Sequence, residues 1–284
     1  GLKVKNKMSE FFLELFTEEI PANLQSTARK NLLISFKTFL DEKNIKYKNH
    51  TNVFSTPNRL VIYFKSISNE IIQRSEEIRG PNVNAPEKAI EGFAKSNQTD
   101  LKKIYKKKTE KGEFYFFKKP YKKLKTSEVL IQNIPKILET LRWKKSMKWG
   151  EFDLYWARPL KSILAVFNGK PLKFKFHHLI SSNLTFIDKD FEEKTKSFNN
   201  FNSYVSYFKS LNVIIDHELR RDKIEKELVR LSNNKRLKIN INKKLLEEVS
   251  ELVEKPKIIS CSFDKRFLDI PKEIIVITMQ HHQK

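Results

Sequence analysis

The sequence is poor in cysteine and glycine. Cys261 is the single cysteine in 284 residues, so no disulfide can form within the chain, and the composition is typical of a reducing compartment. Six glycines are present, and the patterns G-x-x-x-x-G-K-[ST], G-x-G-x-x-G and H-E-x-x-H do not occur. The common glycine-rich phosphate loops and the helical zinc motif are therefore excluded.

Long apolar runs are missing as well. No stretch of about 18 apolar residues occurs, so we expect no membrane-spanning helix and no membrane partner. The N-terminus lacks an apolar signal core. We interpret residues 1–7 as a leader or upstream read-through before Met8.

Residues for metal or thiol chemistry are sparse. The adjacent pairs His177-His178 and His281-His282 would chelate poorly, because neighbouring side chains on a strand point apart. Cys261 has no identifiable activating base nearby in the sequence. We therefore predict no metal site and no catalytic residue on this chain.

The formal net charge is +22 at pH 7. A charge of this size attracts polyanions such as nucleic acids and steers their approach. Coding bias is the alternative, because lysine greatly outnumbers arginine, and Phe, Ile and Asn are abundant. Charge alone leaves both explanations open.

The N-terminal part alternates strand and helix patterns. Residues 11–15 resemble a half-buried strand, and an apolar stripe predicts a helix over 22–42. Strands are predicted at 53–54 and 60–64, with a turn that ends at Arg59. At that position an arginine could hold a phosphate or form an ion pair.

The next part is the most basic. A helix is predicted over 87–96, and residues 101–125 indicate a β-hairpin whose central strand, 113–117, is aromatic. Aromatic residues interspersed with lysines could form a stacking platform for bases. The favoured alternative is an aromatic strand that faces the core, with its lysines in solvent. A further helix is predicted over 126–141.

The middle of the sequence combines cations with tryptophans. Residues 145–150 read KSMKWG, and residues 155–159 read YWARP. Lysine or arginine beside tryptophan can form cation–π contacts, or can present its charge to phosphate while the ring packs inward.

The C-terminal part is predicted to be mostly helical. The patterns indicate helices over 201–210, 217–232 and 243–255, with short strands at 213–216 and 274–277. On the second of these helices we expect Arg220, Arg221 and Arg230 to face solvent. Asn168-Gly169 is typical of a type I′ hairpin.

These elements predict an α+β fold, with mixed sheets and packed helices in two modules. We place the N-terminal α+β module at 8–141 and a second α/β module at 142–284. An apolar strand that runs directly into the C-terminus suggests that the second module is incomplete.

Nine short stretches carry a resemblance to a known family. They are LELFTEEIP (13–21), FSTPNRL (54–60), IRGP (78–81), AIEGFA (89–94), KSMKWG (145–150), ARP (157–159), VIIDHELRR (213–221), LLEEVSELVEKP (245–256) and FLDIPKEIIVITMQHHQK (267–284). In this order and spacing the chain, from Phe11 to Lys284, resembles the beta subunit of the bacterial two-subunit glycyl-tRNA synthetase.

The resemblance implies a protein that supports ATP-dependent attachment of glycine to tRNA-Gly. It implies a catalytic site in a separate alpha subunit, an alpha2-beta2 assembly and a cytoplasmic location. ATP and magnesium would be used by the assembled enzyme, with no cofactor on this chain. An HD-type domain and a helical anticodon-binding region would follow Lys284. A weaker analogy to the editing module of the phenylalanyl synthetase beta subunit supports no editing activity.

The matching stretches supply the candidate contacts with tRNA or with the alpha subunit. These candidates are Arg59, Arg79, Lys145, Lys148, Trp149 and Arg158. One departure from the family follows S-x-N-x-T, where the family usually has G-H-R-F. This sequence has Ile187, Asp188, Lys189 and Asp190 there, so we expect the contacts of that loop to differ.

Two other functions remain open. The chain could be a generic basic RNA-binding module, which would explain the charge and not the ordered motifs. It could also be a purely structural piece for subunit interaction, in which the tryptophan and arginine motifs pack and do not touch RNA. The salt dependence of tRNA binding separates these alternatives, because each phosphate contact steepens it.

Overall fold

The structure is a computed structural model that describes residues 7–143, 147–148, 155–188 and 194–281. Helices and antiparallel strand pairs confirm the predicted α+β class. The helices are α1 (Ala22–Glu42), α2 (Glu87–Ser96), α3 (Thr126–Glu139), α4 (Phe201–Ser210), α5 (His217–Asn234), α6 (Lys243–Glu251) and α7 (Lys272–His281). Within the described ranges, no helix is both long enough and apolar enough to cross a membrane.

The strands range from two to ten residues. In the first half of the chain they are β1 (Met8–Thr17), β2 (Thr51–Thr56), β3 (Arg59–Ser68), β4 (Glu70–Gln73), β5 (Glu76–Asn82), β6 (Ile104–Thr109), β7 (Gly112–Lys119) and β8 (Lys122–Lys125). In the second half they are β9 (Met147–Lys148), β10 (Tyr155–Trp156), β11 (Leu160–Phe167), β12 (Lys170–Pro171), β13 (Lys175–Phe176), β14 (Leu179–Ile180), β15 (Leu184–Phe186) and β16 (Thr195–Ser197).

The chain forms two compact units that do not follow the order of the sequence. The smaller unit is built mainly from residues 68–129, and the larger unit from residues 8–67 and 130–284. This division differs from the predicted boundary between 141 and 142. The physical reason is that β1 pairs with β11 along almost its whole length, from Phe11↔Phe167 to Thr17↔Leu160. The predicted modules, 8–141 and 142–284, stay a prediction.

The larger unit is organised around a five-stranded sheet with the order β12-β11-β1-β3-β2. Its central strand β1 is buried on both faces, so the predicted half-buried strand is wrong. Phe11 packs against Phe36 of α1 on one face, with ring centroids 5.7 Å apart. Phe12 packs against Tyr204 of α4 on the other face, also at 5.7 Å. Burial of both faces stabilises this sheet through the apolar area removed from water.

The smaller unit contains a three-stranded antiparallel sheet with the order β5-β7-β6 and a separate pair of strands, β4 and β8. The predicted hairpin at 101–125 is confirmed, since β6 and β7 pair from Ile104↔Phe117 to Thr109↔Gly112. Gly112 turns this hairpin with a φ of 118°, a conformation that favours glycine.

Several predicted elements match the structure closely. Helices α1, α2 and α4 have the predicted bounds. Asn168 and Gly169 have φ values of 52° and 72°, as a type I′ turn requires, and they join β11 to β12. The apolar stripes and turn residues were therefore sufficient signals for these elements.

Two predicted strands are wrong. Residues 274–277 lie within α7, which Pro271 precedes and in which the Ile274 N–H donates to the Pro271 carbonyl at 3.0 Å. Proline next to the first turn favours a helix start, and it outweighs the β-branched residues that suggested a strand. Residues 213–216 form an irregular connection that leads into α5, and not a strand. Within this connection the Ile214 N–H donates to the Glu254 carbonyl.

Candidate functional site

A buried ion pair lies at the start of β3. Arg59, the first residue of this strand, has its Nη1 atom 3.0 Å from Oε2 of Glu14 on the neighbouring strand β1. Both side chains are 0% exposed. The Nε atom of Arg59 also lies 3.3 Å from Oε1 of Glu254, which is 12% exposed. A buried charge is costly unless it is paired, and here the guanidinium has two carboxylate partners.

Both members of the pair make further hydrogen bonds. Arg59 donates to the Thr185 hydroxyl at 3.2 Å and to the Phe186 carbonyl at 2.8 Å. Glu14 accepts hydrogen bonds from the hydroxyls of Thr185 and Tyr204. Burial lowers the pKa of Arg59, but the charges of the two carboxylates raise it by more, so its pKa lies above the usual value. The guanidinium is therefore held permanently charged.

Two rings enclose the same guanidinium. Its Cζ atom lies 4.7 Å from the ring centroid of Phe16 and 4.2 Å from that of Phe208. Since Arg59 has no exposed surface, a phosphate could reach it only if the ion pair opened. Of the alternatives for this residue, the geometry supports the ion pair.

The ion pair also fixes the loop that departs from the family pattern. Arg59 donates to the carbonyls of Phe186 and Ile187, the latter at 3.4 Å. Asp188, the next residue, lies 3.9 Å from the Lys255 ammonium. Lys189 and Asp190 lie outside the described residues. The start of this loop is thus attached to the core of the larger unit.

A second buried arginine was missed by the sequence analysis. Arg220 on α5 is 0% exposed, so the expectation that it faces solvent is wrong. It donates to the carbonyls of Ser55 at 2.9 Å, Ile214 at 2.6 Å and Ser250 at 2.6 Å. Burial lowers its pKa to about 10, so it stays charged at neutral pH. Arg220 therefore joins α5 to β2 and to the end of α6.

A third polar cluster joins α1 to α6. Nη1 of Arg29 lies 2.8 Å from Oε1 of Glu251, and both side chains are 13% exposed. Gln25 donates to the Glu251 carbonyl at 2.7 Å, which gives a partner to a carbonyl at the C-terminal end of α6. Leu252 follows as the C-cap, so the helix ends at Glu251 and is shorter than the predicted helix over 243–255.

A cavity of about 690 Å³ opens beside these residues. Its lining includes cationic groups of Arg29, Arg221 and Lys244, and carboxylates of Glu247 and Glu251. The lining therefore carries charges of both signs. His217 also lines it, and burial, followed by the charges of neighbouring arginines, lowers the pKa of His217 to about 3.

Arg79 is an exposed candidate. It lies on β5 opposite Phe116 of β7. Its Cζ atom is 3.6 Å from the ring centroid of Phe114, also on β7. At this distance the guanidinium stacks on the ring and keeps its outer side towards solvent. The predicted contact with tRNA or the alpha subunit at Arg79 is compatible with this exposure and stays a prediction.

Arg158 lies at the edge of a smaller cavity of about 350 Å³, which is also lined by Lys161, Glu18, Glu19 and Asn58. Arg158 is half-buried. The Lys161 ammonium is 4.0 Å from Glu18 Oε1, so a carboxylate already stands close to one of the two cations. The proposed contact at Arg158 stays a prediction.

The other candidates are described in part or not at all. Lys145 and Trp149 lie outside the described residues. The backbone of Lys148 pairs with Tyr155 in the short β9–β10 ladder, and its side chain is outside the description. Trp156 is 1% exposed, with its ring centroid 5.1 Å from that of Trp143. At Trp156 the ring packs inward.

The described residues contain no group of three or more His, Cys, Asp or Glu side chains placed to hold a metal ion. Cys261 is exposed. The absence of metal and of catalytic residues from this chain stays a prediction.

One sequence signal could have located the buried ion pair. Glu14 is a single carboxylate in the otherwise apolar run Phe11–Phe16. A charge in a fully buried strand requires a partner, and Arg59 opens the adjacent hydrophobic strand. Arg220 offers no such signal, because it stands in a helix with many charged residues.

Comparison with known proteins gives consistent results. A profile of the family described as "Glycyl-tRNA synthetase beta subunit" matches residues 11–284. Proteins named glycine–tRNA ligase beta subunit from Rickettsia canadensis and Rickettsia prowazekii are 34% and 35% identical over 277 residues. Each match covers 98% of this chain and 41% of the relative. The chain thus spans about two fifths of the length of these curated relatives.

Proposed function

Since this chain belongs to the family of glycyl-tRNA synthetase beta subunits, we propose that it supports the ATP-dependent attachment of glycine to tRNA-Gly. It does so by binding tRNA and by assembling with an alpha subunit. The observation that carries the proposal is the family match over residues 11–284, which includes both compact units.

The partner and the division of labour belong to the same proposal. The name of the relatives, glycine–tRNA ligase beta subunit, indicates at least one other kind of subunit. We place the catalytic site, with the ATP and magnesium that it uses, in the alpha subunit. The assembly is alpha2-beta2 and cytoplasmic.

Binding of tRNA is supported by the net charge of +22, because a polyanion such as tRNA is attracted to a surface of this kind. Among the candidate contacts, Arg79 is exposed and Arg158 is half-buried. The structural alternative, in which the arginines pack and do not touch RNA, is supported at Arg59 by its ion pair with Glu14.

A salt titration tests the binding role. The affinity of the protein for a tRNA-Gly transcript is measured between about 50 and 200 mM salt, and the slope of log affinity against log salt is compared between variants. Replacement of Lys145, Lys148 and Arg158 with alanine should flatten the slope by roughly 0.7 to 0.9 for each phosphate that is no longer held. An unchanged slope with a lower unfolding temperature would mean that these residues hold the fold.

A further inference from the structure

One face of the three-stranded sheet in the smaller unit combines exposed cations with aromatic rings. Adjacent residues of a strand point to opposite faces, and directly paired residues share a face. The pairings of β5, β7 and β6 therefore place one set of side chains together, here called the aromatic face: Glu77, Arg79, Tyr105, Lys107, Phe114, Phe116 and Lys118.

The opposite face of the sheet has a helix next to it. Gly80 follows Arg79 directly on β5 and so points away from the aromatic face. A Cβ atom at Gly80 would lie 2.8 Å from the ring of Phe93 on α2. Helix α2 therefore packs on the side opposite to Arg79.

The rings and cations of the aromatic face contact one another. The Tyr105 ring is stacked on Phe116 with centroids 6.4 Å apart, and Tyr105 is 38% exposed. The Arg79 guanidinium covers Phe114 at 3.6 Å, and the Lys107 ammonium lies 5.4 Å from the Phe116 centroid. Tyr105, Arg79 and Lys107 thus lie next to the two phenylalanine rings, Phe114 and Phe116.

Cations outnumber carboxylates on the aromatic face, where Arg79, Lys107 and Lys118 stand against Glu77. Residues 101–125 contain eleven lysines and two glutamates. On the aromatic face, no carboxylate in the described part of the chain lies within 4 Å of the Lys118 ammonium group. Lys106 and Lys108 pair with Tyr115 and Glu113 and lie on the opposite face. Protection of the edge strand β6 against aggregation would account for lysines on that strand. It would equally account for Arg79, because β5 is the other edge strand of this sheet, but it does not account for Lys118 on the central strand β7.

We propose that the aromatic face binds an unpaired segment of RNA, with a base stacked on Tyr105 or Arg79 and phosphates held by Lys107 and Lys118. Aromatic and guanidinium planes stack on every kind of base, and neighbouring cations hold the backbone. The proposal rests on the proposed function, because it assigns part of the tRNA binding to this sheet. It reverses the expectation that the aromatic strand only faces the core.

The carboxylate of Glu77 should weaken RNA binding by the aromatic face, so its removal tests the proposal. Its carboxylate accepts hydrogen bonds from Lys107 and from the Tyr105 hydroxyl, which lower the pKa of Glu77, so it is charged at neutral pH. A carboxylate at this position repels phosphate and occupies Lys107. Glu77→Gln should therefore tighten RNA binding, and weaker binding by this variant would contradict the proposal.

The main test measures binding of the 284-residue protein to a 12-nucleotide oligouridine and to an RNA duplex of equal length. Tyr105→Ala should weaken binding to the oligouridine by roughly 5- to 150-fold, which is the range for loss of one stacked base. Tyr105→Phe keeps the ring and should bind as the unchanged protein does. Equal losses in both variants, or equally tight binding of the duplex, would overturn the stacking.

The cations are tested with a matched control. Lys107→Gln with Lys118→Gln should reduce the salt slope for oligouridine by about 1.4, since each phosphate contact on a single strand contributes about 0.7. Lys209→Gln with Lys226→Gln changes the charge equally at exposed positions of α4 and α5 and should leave the slope unchanged. The same effect in both pairs would mean that general charge, and not this face, binds RNA.

Glycine attachment by the protein co-expressed with the alpha subunit separates the two proposals. If the variants of the aromatic face bind RNA normally and glycine attachment is intact, the aromatic face is the wrong site and the proposed function stands. If the unchanged pair attaches no glycine, the proposed function fails, whatever the oligouridine results. Circular dichroism of each variant checks that the sheet is folded.

Discussion

Replacement of Arg59 with methionine should destabilise the larger unit strongly. Methionine fills a similar volume but removes the guanidinium, which leaves Glu14 charged and buried and the Phe186 carbonyl without its donor. Loss of one partner of a buried ion pair costs about 3 to 5 kcal/mol. For a unit of this size, that corresponds to a fall in unfolding temperature of roughly 6 to 20 °C.

Tryptophan fluorescence follows this unfolding selectively. All three tryptophans of the sequence fall within residues 130–284, which belong to the larger unit. Lys226→Gln, at an exposed site on α5, is the control and should not change the midpoint. The reasoning is refuted if Arg59→Met shifts the midpoint no more than this control does.

A double variant isolates the pair itself. Glu14→Gln combined with Arg59→Met removes both charges, and it should be less destabilised than the sum of the two single variants. If Arg59 instead contacted phosphate, Arg59→Met would leave the midpoint unchanged and flatten the salt slope of tRNA binding by about 0.9.

Three further predictions concern packing and protonation. Gly80→Ala should lower the free energy of unfolding by about 1 to 3 kcal/mol, because the new Cβ atom would lie 2.8 Å from the Phe93 ring. Gly92→Ala on α2 places its Cβ atom in open space and should raise the free energy of unfolding by about 1 kcal/mol. Thermal unfolding followed by circular dichroism measures both. Arg220→Met should cost about 3 kcal/mol or more in urea unfolding, since three backbone carbonyls lose their donor. The lowered pKa of His217 means that the unfolded chain binds its proton between about pH 6.5 and about 3 while the folded chain does not. Stability should therefore fall as the pH falls through that window, and His217→Gln should reduce this fall.

Local elements were predictable where the sequence carries a complete local signal. The helix Ala22–Glu42 begins directly after Pro21 and has a regular apolar stripe, and Phe201–Ser210 begins after Asn200, whose side chain caps it. Both helices have the predicted bounds. Such signals act within one or two turns, so one sequence is sufficient to find them.

Prediction failed where propensity and context disagree. Residues 274–277 are rich in β-branched side chains, yet they lie in α7 after Pro271. Intrinsic propensities differ by less than about 1 kcal/mol per residue, so the environment of the segment readily overrides them.

The buried charges depend on contacts between distant parts of the chain. Glu14 and Arg59 are 45 residues apart, and Arg220 reaches the Ser55 carbonyl across 165 residues. No local pattern specifies such pairs. The resemblance to a family correctly indicated the class of protein, but it could not show that Arg59 lies in the core while Arg79 lies on the surface.

The most direct test of the proposed function is glycine attachment by the two subunits together. The full gene that carries this sequence is co-expressed with the alpha subunit from the same organism. The purified assembly is then assayed for attachment of labelled glycine to tRNA-Gly, with each subunit alone as a control. We predict attachment only when both subunits are present. A correctly assembled pair that attaches no glycine would contradict the proposal and leave the basic surface to general RNA binding or coding bias.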